Sequence, residues 1–185
     1  MAGPGVGGAA LRHPATARES AGCLPNADPR ALRSALGRFA TGVTVVATQC
    51  GGELVQSMTV NSFTSLSLDP ALILWTLRTG SARYASFAHC ELFSVNVLAA
   101  SQVDIARRHA QPSPGIAAAH WDGFRSGCPV VEGASVQFIC RSRNVVPEGD
   151  HAILIGEVLD YADFERKPLL FVAGGFFSGA ALERL

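Results

Sequence analysis

A chain of 185 residues, 48% of them apolar, is the length of one domain and has ample material for a core. Lys plus Arg and Asp plus Glu each number 15, so the chain is formally neutral, and no basic block offers a footprint for nucleic acid or an anionic membrane surface. The partners left are a small molecule or another protein.

Cys23, Cys50, Cys90, Cys128 and Cys140 are dispersed, odd in number and without a Cys-x-x-Cys pair. This argues against a disulfide framework or a zinc site, and reduced thiols in a cytoplasmic protein with no metal are expected. The longest apolar stretch, Leu66 to Leu77, is broken by Asp69-Pro70 and falls short of the roughly 20 residues a membrane helix needs. Residues 1–27 are rich in Gly, Ala and Pro and lack the compact apolar region of a signal peptide. A flexible tail over 1–27 and one domain over 28–185 are expected. The tail's Gly3-x-Gly5-x-Gly7-Gly8 follows no strand, so it is not a dinucleotide loop.

Asp28-Pro29 is a helix start, with an N-cap acid and Pro at the first helical position. Leu32, Leu36 and Phe39 then share one face, and Gly42 is the expected stop. Val43 to Thr48 predicts a strand, Gly51-Gly52 a hairpin turn, and a second strand runs through Met58. Ala71 to Leu77 is an apolar strand. Ser81 is placed to cap a short helix through Phe87, and Leu92 to Leu98 returns as a strand. Ser101 is the expected cap of a helix with Val103, Ile105 and Ala106 inward and Arg107-Arg108 outward. Residues 111–129, with several Pro and Gly, predict a long loop anchored by Trp121. Ala134, Val136, Phe138 and Cys140 alternate with polar neighbours as in a half-buried strand. Glu148-Gly149-Asp150 turns into a partner strand from His151 to Tyr161, and Leu169 to Val172 is a last strand. Many short strands without βαβ alternation predict a mainly β fold with a few short helices, a closed or partly closed barrel.

Four segments could carry chemistry. Met58 to Ser67 places neutral hydroxyl and amide groups densely before an apolar strand. That suits a polar, uncharged heterocycle, whose developing negative charge such donors would stabilise; a Ser/Thr-rich edge strand has the same composition. Arg78 to Arg83 sets Gly80 and Ser81 between two arginines, fit to hold a phosphate or simply to cap a helix. Glu148-Gly149-Asp150-His151 puts a His beside an acid at a hairpin mouth, able to hydrogen-bond a carboxamide or relay a proton, or only to fix a turn. In Ala173-Gly174-Gly175-Phe176-Phe177, a Phe can stack on a planar ring or pack in the core. No metal-ligand spacing, nucleophile elbow or Walker loop occurs.

In order along the chain, Leu36-Gly37-Arg38-Phe39-Ala40-Thr41-Gly42-Val43-Thr44-Val45-Val46, Met58-Thr59-Val60-Asn61-Ser62-Phe63-Thr64-Ser65-Leu66-Ser67 and Asp69-Pro70 open a recognisable set. Phe93-Ser94-Val95-Asn96-Val97-Leu98-Ala99 with Gln102, Gly149-Asp150-His151, Ile155-Gly156-Glu157-Val158 and Pro168-Leu169-Leu170-Phe171 continue it. The set resembles the short-chain flavin reductase family over roughly residues 30–177. The resemblance implies a Greek-key-like, FMN-binding split β-barrel, a homodimer with flavin near the subunit interface, and hydride transfer from NADH or NADPH to FMN or FAD. It further implies a partner monooxygenase that uses the reduced flavin. The same barrel could instead bind flavin without turnover, as a store, sensor or carrier. Carried over residue by residue, Met58, Thr59, Val60, Asn61, Ser62, Thr64 and Ser65 form the flavin cradle. Ser81 and Arg83 meet the phosphate side, and Asn96, Ala99 and Gln102 close around the flavin. His151, with Gly149 and Asp150, places the nicotinamide as the catalytic group, with Phe176 nearby, although Gly174-Gly175-Phe176-Phe177 leaves open which Phe faces the ring.

Overall fold

A computed structural model describes residues 28–49, 53–121 and 123–179. The expectations for residues 1–27, Cys50 and the Gly51-Gly52 turn fall outside them. In chain order the elements are helix α1 (Pro29–Leu36) and strands β1 (Thr41–Gly42), β2 (Thr44–Thr48), β3 (Leu54–Val60), β4 (Thr64–Leu68) and β5 (Ala71–Arg78). Helix α2 (Tyr84–Ala88), strand β6 (Leu92–Val97) and helix α3 (Val103–Ala110) follow. The rest is strand: β7 (Ile116–Ala117), β8 (Phe124–Arg125), β9 (Cys128–Pro129), β10 (Val136–Glu148), β11 (His151–Asp163), β12 (Leu169–Val172) and β13 (Gly175–Ser178).

One eight-stranded sheet runs β4-β5-β11-β10-β6-β2-β3-β7, and β1-β12-β13 form a second. Every pairing is antiparallel. Among the described residues β4 and β7 do not pair with each other, so the large sheet stays open along that edge. The fold is mainly β with a few short helices, as expected.

The main core gathers Val46, Trp75, Leu77, Phe87, Phe93, Val95 and Leu154. Trp75 meets the Phe87 ring edge-on, at 5.1 Å and 83°, a favoured aromatic geometry. Gly156, from the Ile155-Gly156-Glu157-Val158 segment, lies directly under Phe93; a Cβ there would come within 2.5 Å of the Phe93 ring. A second cluster of Val43, Val45, Leu98, Ala106, Val131 and Leu169 joins α3 to the sheet. Cys90, Cys128 and Cys140 are free and buried, and burial pushes the Cys140 thiol up to about 12.

Several boundaries differ from the sequence reading. Asp28 does cap α1, its Oδ1 accepting from the Arg30 N–H at 2.9 Å. The helix ends at Leu36 with Gly37 as its C-cap, well before Gly42, and its apolar face covers no core: Leu36 and Phe39 are 67% and 79% exposed. The second helix begins at Tyr84 rather than beside Ser81. Ser81 still helps shape its entry, accepting from the Arg83 N–H through Oγ and from the Tyr84 N–H through its carbonyl. Gln102, not Ser101, takes the N-cap position of α3. The 111–129 stretch contains three short strands, and Trp121 Nε1 donates to the Val130 carbonyl at 2.9 Å. The alternation predicted over Ala134 to Cys140 is not kept: Ser135 and Gln137 are buried while Val136 and Phe138 are only half-buried, and Gln137 donates to the Val131 carbonyl. Strand β13 was not foreseen.

Candidate active site

Strand β3 runs two residues beyond Met58, which brings Thr59 and Val60 into the ladder against Val45 and Thr44. The chain then crosses through Asn61-Ser62-Phe63 to β4. Three adjoining openings follow this path. The first, about 580 Å³, is lined by Met58, Ser81, Ala82, Arg83, Ala110, Pro112, Ser113 and Pro114. The next, about 200 Å³, shares Ala110 and adds Thr59, Val60, Asn61, Val43, Phe171 and Phe176. A third, about 760 Å³, shares Asn61 and Phe171 and extends past Ser62, Phe63 and Thr64 to Thr41, Leu36 and Phe39. Together they make one continuous groove whose floor is residues 58–64.

The floor is held from behind. Thr59 Oγ1 donates to the Ala106 carbonyl of α3 at 2.7 Å. Ser62 Oγ accepts from the Thr76 N–H at 3.0 Å, fixing the crossover to β5. Asn61, by contrast, is exposed, and among the described residues its amide makes no hydrogen bond. Thr64 and Ser65 are exposed as well. Thr41 has a buried Oγ1 that finds no partner among the described residues. The walls are apolar: Val43, Val60, Phe171 and Phe176, the two rings 5.3 Å apart. Apolar walls with a few unspent amide and hydroxyl groups are the surface a planar, polar-edged heterocycle requires. The groove fits a flavin.

At the first opening Arg83 is buried, 8% exposed. Its Nη1 donates to the His109 carbonyl at 3.4 Å and its Nη2 to the Gln111 carbonyl. Burial lowers its pKa from the ordinary value. No carboxylate pairs with it among the described residues, so a cation lines the groove with donors to spare. Ser81 lines the same opening.

Phe176 lines the groove, whereas Phe177 is 53% exposed. The Arg107 guanidinium sits 5.9 Å from the Phe176 centroid.

Other expected residues are placed elsewhere. Asn96 is fully buried, donating to the Val45 carbonyl and Ser94 Oγ and accepting from the Val131 N–H. Gln102 accepts from the Ala99 N–H and donates to the Glu132 carbonyl at 2.7 Å. Asn96, Ala99 and Gln102 do not line the groove; they tie β6 to residues 131–132.

His151 stands at the start of β11, opposite Arg78. The Gly149 φ of +62° makes the tight hairpin turn. Asp150 Oδ1 meets His151 Nδ1 at 2.6 Å, and that hydrogen bond holds the Asp150 carboxyl below its ordinary value. Half of His151 remains open to solvent, and it is not among the groove-lining side chains. Its backbone link to the groove is through Thr79, whose N–H and Oγ1 both reach the Asp150 carbonyl, one turn before Ser81.

The sequence did not single out Val43, Ala110, Pro112, Pro114 or Phe171 as groove residues. Pro112 and Pro114 belong to the long loop expected over 111–129, whereas Phe171 carries no local mark that sets it apart from other apolar strand residues.

Residues 36–180 match the family model of the flavin reductase like domain. FMN reductase (NADH) SmoA of Agrobacterium fabrum is 40% identical over 148 residues, covering 80% of this chain and 84% of its own length. The reductase component of a flavin-dependent trigonelline monooxygenase from Acinetobacter baylyi is 40% identical over 152 residues, 82% of this chain. The chain spans only about half the length of that protein, 49%, and the same share of a Rhizobium meliloti relative. Among solved structures, the NADH:FAD oxidoreductase SgcE6 of Streptomyces globisporus C-1027 superposes with a TM-score of 0.73 at 36% identity, covering 81% of this chain and 94% of that one. With its open antiparallel sheet and this groove, the chain belongs to the flavin reductase like domain family.

Proposed function

We propose that this chain is an NAD(P)H-dependent flavin reductase that passes hydride from NADH or NADPH to FMN or FAD and supplies the reduced flavin to a partner monooxygenase. The observation that carries this is the continuous groove over residues 58–64, apolar on its walls, with the amide of Asn61 uncommitted. Two relatives support the same activity: one is an FMN reductase (NADH), the other the reductase component of a flavin-dependent monooxygenase.

The hydride chemistry belongs to the nicotinamide and flavin rings themselves. The chain's part is to hold two planar groups in contact and keep water out. Val60, Phe171 and Phe176 would flank the ring system. Asn61, Thr64, Ser65 and Thr41 would donate to its polar edge, and such donors favour the negative charge that reduction brings. Arg83 and Ser81 would face the phosphate side. His151, oriented by Asp150, would hydrogen-bond the nicotinamide carboxamide as it docks from the open side.

The exposed Leu36 and Phe39 border the outer end of the groove, and a second copy of the chain covering them would complete a homodimer with flavin near the interface. Light scattering should then give twice the chain mass. Three buried free cysteines suit the cytoplasm. Among the described residues no helix is long and apolar enough to cross a membrane.

The test is oxidation of NADH and NADPH in the presence of FMN, FAD or riboflavin, followed at the nicotinamide absorbance. Turnover beyond one equivalent is expected. A His151→Ala variant should raise the nicotinamide KM about tenfold, the cost of one hydrogen bond, while flavin affinity stays within about twofold. Equal losses for both ligands would remove His151 from the nicotinamide site. Flavin binding without nicotinamide oxidation would favour a carrier.

A further inference from the structure

Directly behind the groove lies a polar contact that the flavin reading does not use. Ser57 on β3 and His109 on α3 are both buried, 6% and 8% exposed, and Ser57 Oγ stands 2.8 Å from His109 Nδ1. The two residues that follow in the chain, Met58 and Ala110, both line the first opening. The contact therefore ties together the strand and the helix that border this opening.

His109 is held by its ring and by its backbone. Its ring lies 5.4 Å from that of Trp121, which is itself tied to the Val130 carbonyl. One turn earlier in α3, the Ala106 carbonyl accepts from Thr59. The His109 carbonyl is one of the two acceptors that hold the buried Arg83 guanidinium. A single residue thus joins the floor strand through its ring and the groove's cation through its backbone.

We infer that Ser57 and His109 are positioning residues that set where Arg83 stands, and that they thereby select flavins carrying a phosphate over those without one. The inference rests on the proposed flavin reading. Arg83 has no carboxylate partner, so its charge is available to an anion in the opening it lines. A buried guanidinium recognises a phosphate only where its donors meet the oxygens, and displacement of the α3 end would move those donors. The ring-binding part of the groove, between Asn61 and Phe176, shares only Ala110 with the opening that Arg83 lines.

The test compares FMN with riboflavin, which has the same ring system but no phosphate, as ligands of the full chain. His109→Phe keeps a ring against Trp121 and removes Nδ1. Ser57→Ala removes the hydroxyl and leaves the ring in place. His109→Asn retains a polar atom near the Nδ1 position and is the rescue. Each variant's Kd for both flavins is measured by fluorescence quenching, with the melting temperature alongside. His109→Phe and Ser57→Ala should weaken FMN binding about tenfold and riboflavin binding less than about twofold, with His109→Asn near wild type. Equal weakening of both flavins, or no change in either, would overturn the positioning role. Failure of the unaltered protein to bind either flavin would instead overturn the flavin reading itself. Should His109→Phe not fold, the Ser57→Ala and His109→Asn pair decides the question alone.

Discussion

Two polar stretches of this chain have similar composition and opposite fates. Residues 58–65 and residues 94–102 each set Asn, Ser and Thr or Gln among apolar neighbours. In the second stretch every amide is spent internally: Asn96 makes three hydrogen bonds and Gln102 two, all to chain held inside the fold. In the first, Thr59 and Ser62 brace the backbone while Asn61 and Thr64 line the groove and Ser65 faces solvent. The difference is what lies opposite. Strand β6 is flanked by β2 and β10 and covered by residues 128–131, whereas the β3–β4 crossover reaches the open edge of the sheet. Polar groups of equal chemistry become structural where they are enclosed and receptive where they are not.

Substitutions should divide along that line. The largest effect is expected from Asn96→Ala, which leaves the buried Val131 N–H without its partner and removes the side-chain bonds to the Val45 carbonyl and Ser94 Oγ. It should cost about 2–4 kcal/mol in urea unfolding. A loss below about 1 kcal/mol would mean Asn96 is not the internal tie described here. Gly156→Ala sharpens the same contrast from the packing side, since its Cβ would meet the Phe93 ring at 2.5 Å. About 1–3 kcal/mol of stability should be lost, with flavin affinity retained in the folded fraction.

Asn61→Ala should do the reverse. Its amide holds nothing inside the fold, so the melting temperature should hold, while flavin Kd rises about three- to tenfold for one lost hydrogen bond. A fall in stability matching that of Asn96→Ala would erase the distinction between the two stretches.

The smallest effect concerns a surface pair remote from both. Arg125 contacts Asp160 at 2.9 and 3.1 Å with both carboxylate oxygens engaged, and that bond holds the Asp160 carboxyl below its ordinary value of 3.8. A carboxylate with a depressed folded-state pKa contributes stability that is present above its unfolded pKa and lost as pH falls through the folded one. Asp160→Asn should therefore be slightly less stable than wild type at neutral pH, the gap closing below the ordinary value of 3.8. A gap that persists in acid would assign the effect to packing.

Much of the β framework was legible because alternation and turn residues are local signals. The cradle was legible because a dense polar run stands out in an apolar chain. The division between receptive and structural amides was not, since the partners of Asn96 and Gln102 lie some thirty residues downstream, at Val131 and Glu132. Periodicity gave α1 an apolar face from Leu32 to Phe39 without saying what that face meets, and in the single chain it meets solvent. The alternation over Ala134 to Cys140 was real in sequence, but a second layer of chain covers the face expected to be wet. Phe171 and Ala110 line the groove only because β12 and the end of α3 converge on β3, a tertiary fact without a local mark.

The most direct test of the central claim is anaerobic mixing of the protein with FMN and NADH, or NADPH, while the flavin absorbance is followed. The account predicts bleaching of the flavin band in step with loss of the nicotinamide band, one for one and far faster than without protein. Flavin that binds in the groove yet stays oxidised when both nicotinamides are supplied would contradict it.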